Sequence, residues 1–250
     1  MKGIYSKDYV IDTFTSNSHK RLGLLGLVGI LQDIATFHAK DAGFGHEEML
    51  EKSVFWVLIR KSIKMKKWPA LFSTITVKTW SRLPDSYYAY RDFEIYSQDE
   101  LIGTATTTWV TLNAQTRRPT EIPLKNLPLD IRSDKALDYE ASKVEVSIEE
   151  KDLEKVCRFH TRNSDLDLNG HVNNTKYSQW VLDSIDFQYH STHVVTEYHI
   201  NFLSEVKLGD EIEVYKDLSH SDEHSRVSYL GRVPGARKPS MLVQCLYSTH

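Results

Sequence analysis

Asp165, Asp167, Asn169 and His171 occupy every second position of Asp165-Leu-Asp-Leu-Asn-Gly-His171, and Val172-Asn-Asn-Thr-Lys-Tyr177 follows directly. Alternation in an extended segment points four such side chains to one side. An acid, an amide and an imidazole on one side can hold water, polarise a carbonyl and move a proton. Acyl transfer to water needs those three tasks. The segment precedes a helical stretch, whose free N–H groups and positive dipole end favour a developing negative charge. An Asp or Asn ahead of a helix is by itself most often a cap, and a lone histidine is most often structural. Four candidates in alternating register are more than a cap requires. Glu205 is a second acid, in Ile200-Asn-Phe-Leu-Ser-Glu-Val206. A carboxylate at the end of an apolar strand belongs on the surface, unless it faces the start of the second helix and activates water there.

The elements that must position these groups are written twice. Ile63 to Val77 matches Ile200 to Val214 without a gap, at an offset of 200 − 63 = 137. Ile63, Met65, Ile75 and Val77 fall on Ile200, Phe202, Ile212 and Val214, giving a strand, a turn and a strand in each half. An apolar helix is expected before each pair, over residues 22–39 and 172–187. Two more strands close each half, at 87–96 and 101–112, then at 226–233 and 241–249. A helix so apolar must be enclosed, and a curved antiparallel sheet does this, so the fold class is α+β with a duplicated unit. Pro119, Pro123 and Pro128, followed by charged residues up to Lys155, mark a connecting or wrapping segment. Placing Leu22 on Val172, an offset of 172 − 22 = 150, sets Asn17, His19 and Arg21 opposite Asp167, Asn169 and His171. Trp68 lies opposite Glu205 under the 137 offset. One copy carries the reactive set and the other does not.

Composition narrows the class. A formal charge of −3 excludes a globally basic nucleic-acid binder. Cys157 and Cys245 are no secreted disulfide framework and read as two partly buried thiols. The first ten residues lack the apolar core of a secretory leader. The apolar run at 22–31 is too short to span a bilayer, so no membrane insertion is expected and a cytoplasmic location is. His190, His193 and His199 have no cysteine or carboxylate at zinc spacing, so no metal is expected, and no cofactor either.

The stretch Asp165 to Tyr177 resembles the signature of the acyl-acyl-carrier-protein thioesterases, the plant plastid enzymes and their bacterial relatives. Gly103-Thr-Ala-Thr-Thr-Thr-Trp-Val-Thr-Leu-Asn-Ala-Gln-Thr-Arg-Arg-Pro119 is similar to the segment of that family's first domain ending in Thr-Arg-Arg. The resemblance runs from Tyr5 to Tyr247. It implies two tandem hotdog domains, each a curved antiparallel sheet around a central helix. Residues 1–135 would form the acyl-chain side and 136–250 would carry the catalytic residues. It implies hydrolysis of fatty acyl-acyl-carrier-protein thioesters in a bacterial cytoplasm, ending chain elongation. Its catalytic Asp, Asn and His fall on Asp167, Asn169 and His171, and its later acid falls on Glu205. Many plant members carry a cysteine at the next position, where this chain has Val206, so a thiol nucleophile is not expected. A hotdog acyl-CoA thioesterase, a hydroxyacyl dehydratase and a lipid-binding module are the alternatives. Acidic carrier protein is the implied partner, with Lys61, Lys64, Lys66, Lys67, Arg117 and Arg118 as candidates for its docking face. Gly23, Gly26 and Gly29 either leave room for an acyl chain or pack the helix closely, and the oligomer could be a homodimer.

Overall fold

The computed structural model describes residues 3–122, 131–141, 143–167, 169–219 and 225–249. Pro123, Pro128 and Leu168 lie outside the described residues. The chain divides into two compact units, Met1–Ala141 and Ser142–His250. The first contains β1 (Tyr5–Val10), α1 (Leu24–Asp41), α2 (His46–Glu51), β2 (Val54–Met65), β3 (Thr74–Arg82), β4 (Tyr88–Ser97), β5 (Glu100–Asn113) and the short β6 (Pro119–Thr120). The second contains β7 (Leu153–His160), α3 (Asn174–Asp183), α4 (Phe187–Thr192), β8 (His193–Phe202), β9 (Glu211–Asp217), β10 (Arg226–Arg232) and β11 (Met241–Thr249).

Both units hydrogen-bond their strands in the same antiparallel order, β1-β3-β4-β5-β2 and β7-β9-β10-β11-β8. The 137 offset survives in three dimensions. β2 ends at Met65 and β8 at Phe202, while β3 begins at Thr74 and β9 at Glu211. Residues paired across strands share a face, so Ile63, Ala105 and Phe93 form one buried row. Ile200, Val243 and Tyr229 form its counterpart.

The two helices differ in length. α1 has 18 residues, and its Leu27, Val28, Leu31 and Ile34 are buried. It is fastened at its middle by Asp33, which takes Lys7 Nζ and Tyr9 Oη, each at 2.9 Å. Near its end, Arg91 Nη1 meets His38 Nδ1 at 2.6 Å. Burial, and after it the Arg91 charge, pushes His38 down to about 4, so the ring is a neutral acceptor. The second helix was expected to run to residue 187. It stops at Asp183, because Ser184 Oγ bonds back to the Trp180 carbonyl (2.7 Å) and Asp186 caps a separate turn by accepting from Tyr189 N–H (3.0 Å).

The small residues of α1 do not act alike. A Cβ on Gly26 would lie 2.2 Å from the Thr15 carbonyl oxygen, so that helix turn packs tightly on the preceding loop. Gly29 faces open space, in a groove of about 360 Å³ lined by Tyr9, Phe14, Leu25, Ile30 and Asp33. Lys61, expected on the docking face, does not stand there. It has the parity of Ile63 and Met65, which turns it inward, and it is 4% exposed. Lys64, Lys66 and Lys67 are exposed. Among the described residues no helix is long and apolar enough to cross a membrane.

The connecting segment wraps each unit with its own half. Trp80 Nε1 donates to the Asp134 carbonyl (3.0 Å) and Ala136 N–H to Asp92 Oδ2 (3.1 Å). Arg82 bridges Asp92 (2.9 Å) and Glu140, and Leu137 and Ala141 are buried there. Beyond the division, Val144 N–H donates to Asn201 Oδ1 and Ser147 N–H to Asp217 Oδ2, each at 2.9 Å. The Arg82 hydrogen bonds, then Lys135, hold Glu140 down at about 2, against an ordinary value of 4.5. A depressed folded-state pKa contributes stability that is complete above the unfolded value and lost as pH falls toward the folded one. Glu140→Gln should therefore flatten the acid limb between about pH 4.5 and 2, read as melting temperature against pH beside the wild type.

Candidate active site

The segment ahead of α3 is a tight turn rather than an extended run. Leu166 pairs with Val172, Asp167 N–H donates to the His171 carbonyl (2.8 Å), and Gly170 N–H donates to the Asp167 carbonyl (3.0 Å). Gly170 sits at φ +73°, the left-handed conformation such a turn needs. Asp167 Oδ1 accepts from Asn169 N–H (2.8 Å) and His171 N–H (3.2 Å). The turn breaks the alternation on which the sequence reading relied. Asp165 turns away to pair with Lys176 (3.1 Å) and to accept from Arg162 N–H (2.8 Å). Asn169 is exposed, and Asp167 and His171 are partly buried.

Glu205 lies in the loop after β8, which stops at Phe202, and not within a strand. That loop brings Glu205 Oε1 to 3.4 Å from His171 Nε2, with 41% and 32% of the two side chains exposed. An acid and an imidazole thus meet at a solvent-reached surface of the C-terminal unit. Val206, the residue after Glu205, is fully buried, and its N–H donates to Tyr177 Oη (3.1 Å). Cys157 and Cys245 are both free. Burial pushes the Cys245 thiol up to about 12, so it stays protonated.

The helix start offers fewer donors than the sequence suggested. Asn173 caps α3 by accepting from Thr175 N–H (2.9 Å), and its carbonyl takes Lys176 N–H (2.9 Å). Asn174 N–H is left without a bond among the described residues. Tyr177, Asp165 and Asn173 all hold the site in shape. The spacing that singled out the acid-amide-imidazole set carried no signal for Tyr177, whose partner is 29 residues away.

The N-terminal unit builds the same turn at the 150 offset. Ser16 pairs with Leu22, Asn17 N–H donates to the Arg21 carbonyl (2.8 Å), and Lys20 N–H donates to the Asn17 carbonyl (3.0 Å). Asn17 Oδ1 accepts from His19 N–H (3.0 Å) and Arg21 N–H (3.4 Å), as Asp167 does in its place. Lys20 takes the left-handed position of Gly170 at φ 56°. The loops after the second strand also match. Lys66 and Lys67 donate to the Ile102 carbonyl, while Leu203 and Ser204 donate to that of Ser240.

What differs is how the two loops meet. In the N-terminal unit they zip together through Leu22 N–H to the Pro69 carbonyl (2.8 Å), Leu71 N–H to the Lys20 carbonyl (2.9 Å) and an Arg21–Ala70 bridge. In the C-terminal unit, among the described residues, no such backbone bond joins Val172 to Val206 or Leu208 to Gly170. His171 and Glu205 face each other across that opening.

Comparison with known proteins places the chain. The family model for the acyl-ACP thioesterase N-terminal domain matches residues 2–127, and that for the C-terminal domain matches residues 148–240. The palmitoyl-acyl carrier protein thioesterase of Gossypium hirsutum is 26% identical over 238 residues, which cover 90% of this chain and 57% of that protein. The oleoyl-acyl carrier protein thioesterase of Coriandrum sativum is 26% identical over 231 residues, 84% of this chain and 61% of that protein. The chain therefore spans about three fifths of the length of these relatives. Among solved structures, an acyl-ACP thioesterase from Bacteroides thetaiotaomicron superposes with a TM-score of 0.86 at 22% identity, covering 98% of both chains. The 12:0-ACP thioesterase from Umbellularia californica gives 0.87 at 20% identity, covering 99% of this chain and 98% of that one. The fold is the two-domain hotdog α+β fold.

Asn17 shows that an amide can make the bonds of Asp167. Asp167→Asn should keep the melting temperature of the wild type. Asp167→Ala, which removes the acceptor of both N–H groups, should cost ~0.5–1.5 kcal/mol per hydrogen bond in denaturant titration. Equal stability of the two variants would remove Asp167 from the turn's support.

Proposed function

The chain belongs to the acyl-ACP thioesterase family, and on that premise we propose that it hydrolyses fatty acyl thioesters of acyl carrier protein to free fatty acid. The observation that carries the reading is the Glu205–His171 contact at 3.4 Å, in the unit whose loops have come apart. Glu205 is the general base. A water oxygen adds to the thioester carbon as its proton passes to the Glu205 carboxylate. The tetrahedral intermediate then expels the thiolate of the carrier's prosthetic arm, which takes up that proton. The products are a fatty acid and the carrier thiol. His171 sets its Nε2 against Glu205 and holds the carboxylate in place, while the exposed Asn169 amide in the turn and the Asn174 N–H at the start of α3 donate to the carbonyl oxygen as charge develops there.

Asp167 is assigned to shaping that turn, because Asn17 performs the same bonding without a charge. A nucleophilic thiol has no place in the scheme, since Val206 occupies the adjacent position and Cys245 is held protonated.

Acyl-carrier-protein substrates of varied chain length, with free fatty acid as readout, test the reaction. Faster turnover of the matching acyl-CoA would move the assignment to a coenzyme A thioesterase. Glu205→Gln and His171→Ala should each lower kcat by about 10²–10⁴-fold, with circular dichroism confirming the fold. Near-wild-type turnover in folded Glu205→Gln would remove the base from the scheme. Asp167→Asn should retain kcat within about tenfold, the range that separates a shaping residue from a general base.

A further inference from the structure

We infer that Tyr177 is a positioning residue for the reaction, acting through the Val206 backbone to fix where the Glu205 carboxylate stands. The hydroxyl of Tyr177 accepts Val206 N–H at 3.1 Å, one residue beyond Glu205. Tyr177 is itself held rigidly. It is 4% exposed, packed on Trp180 with ring centroids 5.0 Å apart and edge-on to Phe202 at 5.4 Å. Burial first, and the nearby Glu205 charge among further causes, pushes its phenol up to about 12, so it stays protonated and neutral at working pH.

The duplication supplies the control. Tyr177 falls on Leu27 (177 − 150 = 27), which has no hydroxyl. Val206 falls on Pro69 (206 − 137 = 69), which has no N–H. Both halves of the hydrogen bond are thus missing where Trp68 stands in place of Glu205. The N-terminal unit nevertheless folds the same turn and the same loop, tied by Leu22 N–H to the Pro69 carbonyl. The fold does not require the phenol contact. It occurs in the unit where the backbone tie is gone and the loop must still carry an acid to 3.4 Å from an imidazole. One side-chain anchor replaces the backbone ladder and leaves the space between the loops open.

The inference rests on the reading of Glu205 as the base, and the variants separate the two. Tyr177→Phe keeps the ring packing and removes the acceptor. It should lower kcat by about 5–30-fold, the range expected for losing one hydrogen bond to a buried N–H. KM should stay within about twofold, a split that lost packing alone would not give. Val206→Pro removes the donor and copies the N-terminal unit, so it should give a similar loss. The double variant should lose no more than either single one, as expected of one shared contact. In a Glu205→Gln background, Tyr177→Phe should change the residual rate by less than about twofold. If Val206→Pro does not fold, the Tyr177→Phe comparison in the two backgrounds decides alone. Wild-type kcat in Tyr177→Phe, or the same fold-loss with and without Glu205, would overturn the inference. Near-wild-type turnover in folded Glu205→Gln would instead overturn the assignment of the base.

Discussion

The loop entering each long helix and the loop leaving each preceding-sheet partner strand must be held against one another, because both carry backbone N–H and C=O groups that the sheet does not satisfy. In the N-terminal unit they satisfy each other directly, through Leu22, Leu71 and the Arg21–Ala70 bridge. Among the described residues of the C-terminal unit that ladder is not formed. His171 and Glu205 occupy the opened space, and Tyr177 ties the loop from beneath. The position of every candidate reactive group depends on this one change in how two loops are joined.

The opening is affordable because the rest of the C-terminal unit is conserved in form. Its turn repeats the N-terminal one bond for bond, from the Leu166–Val172 bridge to the side-chain acceptor at Asp167. Its sheet repeats the strand order, with buried rows such as Ile200, Val243 and Tyr229 under the helix. Rigid strands and a capped helix leave few degrees of freedom to the side chains they present, so a half-exposed acid and imidazole can still meet in a defined geometry. The connecting segment contributes by fastening each unit separately, with Arg82, Asp92 and Glu140 on one side of the division and Asn201 and Asp217 on the other.

The shape of the site also favours the proposal that water rather than a thiol is the nucleophile. Val206 is turned into the core and spends its N–H on Tyr177. The buried thiol of the unit, Cys245, is raised by burial to about 12 and has no thiolate to offer. A carboxylate at the surface beside an imidazole suits proton transfer from water, since both groups keep access to solvent.

By itself the sequence determined the duplication, the α+β class and the family, and it singled out Asp167, Asn169, His171 and Glu205 as candidates. These are periodic or local properties, and a strand's alternation, a helix's apolar stripe and a short motif are all written in neighbouring residues. Local chemistry also hid some outcomes. Ser184 and Asp186 ended the second helix early, and the parity of β2 turned Lys61 inward among Ile63 and Met65. Only the tertiary structure decided that the segment before α3 is a turn, so that Asp165 and Asp167 serve the backbone while His171 reaches outward. Only it decided that Glu205, 34 positions beyond His171 (205 − 171 = 34), completes the pair, with Tyr177 beneath its loop. Those relations join residues distant in the chain, and they depend on which backbone hydrogen bonds two loops make or leave unmade.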